Sequence, residues 1–108
     1  MATHHLIITC PPQVLEYCHS ARSAEEYEDL AADMAVLLPA FEHPSESLAI
    51  TLQRALWERG MPRAAVAFDC LIAAYAVVND AIVLNSDHDF GHIERATDGR
   101  LRQEFVPE

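Results

Sequence analysis

A chain of 108 residues that is 51% hydrophobic has enough apolar mass for one core and falls within the usual size of a single domain, expected here over residues 1–108. Its formal charge of −10, with seven arginines as the only cationic side chains besides histidine, argues against a protein that coats nucleic acid through a basic face. No run reaches the roughly 20 apolar residues of a membrane helix and Met1-Ala2-Thr3-His4-His5 lacks the cationic start of a secretory signal, so a cytosolic location with no membrane partner is expected.

Leu6 to Cys10 is a short β-branched apolar run that predicts a buried strand, and Pro11-Pro12 leads it into a helix over Val14 to Ala21. Ser23 and Glu26 have capping-box spacing, and Tyr27, Leu30, Ala31, Met34, Leu37 and Leu38 follow at helical intervals until Pro39. A brief extended piece is expected around Phe41. Leu48, Leu52 and Leu56 mark a second amphipathic helix, closed by Gly60 with Pro62 just beyond. Ala64 to Val78 is apolar on nearly every side, which predicts a deeply packed helix interrupted only by Asp69. Ala81 to Leu84, after the Asn79-Asp80 turn, reads as a parallel strand covered on both faces. A short helix through Ile93 and a last strand from Gln103 to Val106 complete an α/β pattern without repeats or linkers.

Charge is unevenly spread. Residues 1 to 46 hold eight acids against Arg22 alone, whereas residues 54 to 102 hold six arginines against seven acids. A metal site or a basic partner fits the acidic half, as does a solvated surface that confers solubility. Cys10, Cys18 and Cys70 match no paired metal-knuckle spacing and read as buried thiols.

Two features carry candidate chemistry. Asp69 is a carboxylate inside an apolar helix, where a charge needs a partner or a metal, or else it is the N-cap of a helix that begins at Cys70. Asp87-His88-Asp89 stands where the Val83-Leu84 strand delivers its carboxyl end, the usual side for ligands in open α/β sheets. Two aspartates at alternate positions suit a hard divalent cation, although the same pattern also makes a turn that caps the next helix. Glu16, just inside the first helix, is a third carboxylate. Acids converging from separate strand ends repel one another, a strain that Mg²⁺ or Mn²⁺ relieves, and such clusters commonly handle phosphodiesters. His88 and His92, spaced i, i+4, offer zinc ligands together with Asp87 or Asp89, against the plainer reading of two partly exposed polar side chains.

Taken together, Pro11-Pro12-Gln13-Val14-Leu15-Glu16, Ala21-Arg22, Glu26-Tyr27-Glu28, the run from Arg63 through Phe68-Asp69-Cys70-Leu71-Ile72-Ala73-Ala74, and Val83-Leu84-Asn85-Ser86-Asp87-His88-Asp89-Phe90 resemble the PIN domains of VapC-type toxins over essentially the whole chain. The resemblance implies a three-layer fold with a parallel sheet flanked by helices, and an RNA-cleaving site in which acidic residues surround Mg²⁺ or Mn²⁺. It implies that Asp69 and Asp87 hold the metal most directly, that Asp89 is an accessory ligand, and that Glu16 acts through water or as a proton acceptor. Tyr75 and Asn85 would line the pocket. It also implies a VapB-type antitoxin partner and a homodimer. Members of the family begin with a central strand bearing an aspartate, and then a helix, before the strand that is here Leu6 to Cys10; this chain shows neither. An upstream start, a shortened remnant, or a second polypeptide that completes the sheet would each account for this.

The leading expectation is therefore a metal-dependent endoribonuclease toxin, with Arg54, Arg59, Arg63, Arg95, Arg100 and Arg102 as the source of phosphate contacts. The alternative is an inactive PIN-like module that pairs with itself or an antitoxin. An aspartate-based phosphoryl-transfer domain ranks last, because the chain has no lysine to meet the phosphate.

Overall fold

The computed structural model describes residues 7–107, so Leu6 lies outside the described residues. The elements in chain order are β1 (Ile8–Thr9), α1 (Pro11–His19), α2 (Ala24–Ala35), β2 (Leu38–Pro39), α3 (Glu46–Glu58), α4 (Ala67–Val78), β3 (Ile82–Asn85), α5 (Asp89–Ala96) and β4 (Arg102–Phe105). Helices alternate with short parallel strands, which is an α/β arrangement. The chain divides into two compact units, residues 1–40 and 41–108, each with its own pair of strands. The strands thus form two separate parallel pairs where the alternating pattern suggested one sheet.

In the first unit the helix after β1 begins at Pro11, three residues ahead of the Val14 start expected from the sequence. Its two prolines occupy the first turn, where a backbone N–H has no intrahelical partner to lose. Ser23 caps α2 as its spacing predicts, its hydroxyl accepting from the Glu26 N–H at 3.0 Å. The Tyr17 hydroxyl ties α1 to α2 by donating to Asp33 at 3.2 Å. The helix stops at Ala35, four residues short of Pro39, and the extended piece lies at Leu38–Pro39 and not around Phe41. The residue before a proline is pushed out of the helical region, so Leu38 becomes extended and pairs with Ile8. Ala40 N–H donates to the Thr9 carbonyl at 2.7 Å and extends the pairing.

In the second unit Ser45 caps α3 by accepting from the Leu48 N–H at 3.2 Å. Gly60 closes the helix at φ +71°, with its own N–H donating to Trp57 O at 3.1 Å and that of Met61 to Leu56 O at 2.8 Å, the two bonds of a Schellman turn. The same pair of bonds ends α4 and α5, but there Asp80 and Asp98 hold the left-handed position, each at φ 51°. Both are ion-paired across the surface, Asp80 with Arg102 and Asp98 with Arg59, at 2.7 Å.

The core of this unit lies where α3, α4 and α5 meet. Leu52 and Leu56 of α3, Ala73 and Ala74 of α4, Ile93 of α5 and Leu101 are all essentially inaccessible. α4 begins at Ala67, not Ala64, because Met61 to Ala64 is spent in a turn closed by the Ala64 N–H on the Met61 carbonyl at 3.1 Å. The segment β3–α5–β4 is a parallel βαβ unit with Val83 opposite Gln103 and Asn85 opposite Phe105. β3 is not covered on both faces: Val83 packs against the core, while Ile82 and Leu84 remain 46% and 61% exposed on the other side. The strand's apolar run therefore has a period-two burial that its composition conceals.

Gly60 has nothing within 4 Å of the place a Cβ would occupy, so Gly60→Ala should cost about 1 kcal/mol from the positive φ alone. Asp98→Gly should stay within about 0.5 kcal/mol of the parent in urea denaturation, because relief of the left-handed backbone offsets an exposed ion pair. Burial pushes the Cys10 thiol above its ordinary range, against a backbone hydrogen bond from Gln13 that pulls it down. A thiol raised in the folded state holds its proton where the unfolded chain has lost it. Its contribution to stability is complete below the unfolded value near pH 8.5 and is lost as the pH rises through the folded value. Stability followed from pH 7 to 10 should fall less steeply in Cys10→Ala than in the parent.

Candidate metal centre

Asp69 is the third residue of α4 and is 4% exposed. The N-cap is Val66, whose carbonyl receives the Asp69 and Cys70 N–H groups at 3.0 and 3.3 Å, so Asp69 is not the cap of a helix starting at Cys70. A carboxylate in a first turn meets the positive end of the helix dipole. The helix's apolar sides then bury it, since Cys70, Ala73 and Ala74 must face the core.

Asp87 and Asp89 reach the same place from the other direction. β3 ends at Asn85, whose side-chain amide donates to Gln103 Oε1 at 3.0 Å and so anchors the strand end to β4. Asn85 Oδ1 accepts from the Asp87 N–H at 3.3 Å, and Asp87 Oδ1 accepts from the Asp89 N–H at 2.6 Å. These two local bonds are turns of the Asx type, and they set Asp89 as the first residue of α5. The turn reading of this motif and its ligand reading are thus compatible: one Asp87 oxygen shapes the loop and leaves the other oxygen for a cation.

One carboxylate oxygen from each of Asp69, Asp87 and Asp89 lies within 4.8 Å of the others, with Asp69 buried, Asp89 half-buried and Asp87 exposed. Opposite ligands of a Mg²⁺ stand about 4.2 Å apart and those of a Ca²⁺ about 4.6 to 5.2 Å, so the cluster is within a small side-chain adjustment of surrounding either ion. The donors are all oxygen, the chemistry of a hard divalent cation, and among the described residues no histidine or cysteine joins a group of this kind. His88 instead stacks on Phe105 and His92 accepts from Arg95, so the described residues do not assemble a zinc site from them. Burial, and secondarily the nearby Asp69 and Asp89 carboxylates, push the Cys70 thiol up, which keeps it protonated beside the cluster.

Glu16 lies on α1 in the first unit, where it is exposed. Tyr75 sits six residues beyond Asp69, about 9 Å along the axis of α4, and its hydroxyl is engaged with His43 Nδ1 at 2.8 Å. Asn85 is a strut of the loop. Of the arginines, Arg59 and Arg102 are held by Asp98 and Asp80, and Arg54, Arg63 and Arg100 are exposed. Arg95 alone among them lines a groove with Asp87.

That groove, of about 410 Å³, is lined by residues of α5, β4 and the loop before α5: Asp87, His88, Gly91, His92, Arg95, Gln103 and Phe105. Arg95 was among the arginines expected to meet phosphate, whereas Gln103 and Phe105 were not anticipated from the sequence. The only sequence signal was Gly91 inside a helical stretch, where a missing side chain often leaves room for something else to approach. A Cβ at Gly91 would lie 3.6 Å from the Arg95 guanidinium and 4.0 Å from the Gln103 amide.

Protein-family models give no match to this chain, and curated proteins give none either.

Three clustered carboxylates make folding and cation binding mutually supportive, since a ligand bound only by the folded state stabilises it in proportion to its occupancy. Mn²⁺ or Mg²⁺ at about 100 times its Kd should add about 2.7 kcal/mol and raise the melting temperature by several degrees. The shift should be abolished in Asp69→Asn and in Asp87→Asn, as read by scanning calorimetry with and without chelator.

Proposed function

We propose that the chain is a metal-dependent endoribonuclease of the toxin type, acting in the cytosol with a PIN-like three-layer fold. The observation that supports it is the convergence of Asp69 with Asp87 and Asp89 from two different elements onto a region under 5 Å across. In this reading Asp69 and Asp87 hold Mg²⁺ or Mn²⁺ directly, Asp89 assists, and Glu16 of the first unit serves as proton acceptor or as a ligand through water. The cation would acidify a water for in-line attack and offset charge on the departing oxygen of an RNA phosphodiester. Asp69 contributes fixed geometry, because a buried side chain on a packed helix has few rotamers open to it. Exposed Asp87 is the side of the cluster open to substrate. A VapB-type antitoxin, whose basic or apolar segment would cover the acidic residues, and a second copy of the chain are the partners this reading carries.

The second reading is a non-catalytic interaction module with the same fold, and the exposed face of β3 favours it. Ile82 and Leu84 present apolar surface on a strand whose sheet, among the described residues, contains only β4 as a neighbour.

Cleavage of a structured RNA by the purified chain should require Mg²⁺ or Mn²⁺, stop with chelator, and fall at least a hundredfold in Asp69→Asn. A folded wild-type chain that leaves RNA intact with either metal would defeat the nuclease reading in favour of the interaction module.

A further inference from the structure

We infer that the groove lined by α5 and β4 is a subsite for one nucleotide of a single strand, in which Arg95 holds a phosphate and the Phe105–His88 pair carries the base. The inference rests on the nuclease reading for the reacting bond, and adds which side chains would seat the neighbouring nucleotide.

Charge is the first part of the argument. In a chain of net −10, a polyanion needs a local cation to approach three carboxylates. Among the described residues Arg59 and Arg102 spend their charge on surface aspartates and Arg22 on Glu26, whereas the Arg95 partner is the neutral acceptor His92 Nδ1. That contact leaves the guanidinium's full charge for another group. The His92 ring stands beside it in the wall of the same groove. A planar guanidinium suits phosphate oxygens.

The aromatic pair is the second part. The His88 and Phe105 rings are parallel within 6°, with centroids 4.9 Å apart. Each ring covers one face of the other, so a base can add only at the outside of the stack, and Phe105 remains 42% exposed. Stacking of this kind accepts any base.

Room and placement are the third part. A volume of about 410 Å³ lies toward the lower end of small-molecule sites, roughly 300–1,000 Å³, which suits a single nucleotide. Gly91 keeps the helix side of the groove clear. Asp87 belongs to both the carboxylate cluster and the groove wall, so a strand with one phosphate at Arg95 runs directly toward the cluster.

The test is fluorescence anisotropy of the full chain with a labelled 2′-O-methyl tetra-uridylate, titrated across salt in Mg²⁺ and again in EDTA. Arg95→Ala should weaken binding about tenfold and reduce the log–log salt slope by about 0.7, the value of one phosphate contact on a single strand. Phe105→Leu should weaken binding at least fivefold with the slope unchanged, and Arg22→Ala, at a residue ion-paired with Glu26, should change neither. The wild-type to Arg95→Ala ratio should be the same in Mg²⁺ and EDTA, because Arg95 acts outside the cluster. Thermal melting of each variant confirms folding, and Arg95→Lys should keep the slope. Unchanged affinity and slope in Arg95→Ala, or a wild-type chain that does not bind the oligonucleotide, would overturn the subsite. Mn²⁺ binding followed by paramagnetic resonance separates the two ideas: intact Mn²⁺ binding with no oligonucleotide binding defeats the groove alone, and the reverse defeats the metal centre alone.

Discussion

The second unit depends on the close approach of α4 to its neighbours. Ala73 and Ala74 have no exposed surface, and their small side chains let Leu52 and Leu56 of α3 and Ile93 of α5 pack against the helix with nothing between. Interiors packed at this density do not deform gradually. With α4 packed against both α3 and α5, its first turn has one position relative to the loop that follows β3, and the distance from Asp69 to Asp87 and Asp89 is set by that packing. A contact among alanines, leucines and isoleucine thus decides how far Asp69 lies from a pair of aspartates that is distant from it in sequence.

Electrostatics follow the same economy. Two of the cluster's acids lie in first turns, Asp69 of α4 and Asp89 of α5, where the helix dipole favours negative charge. Two other aspartates, Asp80 and Asp98, take the left-handed position after the same two helices and each draws an arginine to that end. Acids at both ends of α4 and α5 therefore have opposite consequences. Those at the start gather and leave a region that attracts cations, while those at the close are matched by Arg102 and Arg59. Arg95 differs from Arg59 and Arg102 in that its contact is a histidine nitrogen, so its charge remains available to the groove it lines.

The carboxylate cluster and the groove share Asp87, and the loop that positions it is stiffened by hydrogen bonds from both ends. Asn85 holds the strand side through Gln103, and Asp87 itself holds the helix side through the Asp89 N–H. The local chemistry that would make Asp87-His88-Asp89 a mere turn is therefore the same chemistry that fixes its geometry as a site. Motif and turn are one object here, and only the arrival of Asp69 separates a cluster from a cap.

Sequence by itself determined what is local. Ser23 as a cap, Gly60 as a helix stop and the succession of helices and strands follow from side-chain hydrogen bonds, backbone preference and periodicity over a few residues. It also singled out Asp69, Asp87 and Asp89, because a carboxylate in an apolar helix and a pair of aspartates at a strand's end stand out against their surroundings. Tertiary structure alone decided what depends on contact between distant segments. It paired Leu38 with Ile8, left Ile82 and Leu84 exposed on a strand that reads as fully buried, and turned Tyr75 toward His43. It also brought Arg95 and Phe105 beside Asp87, across the βαβ crossover. The physical reason is that periodicity records which face of an element is apolar, whereas the identity of what lies against that face is fixed only when the chain packs.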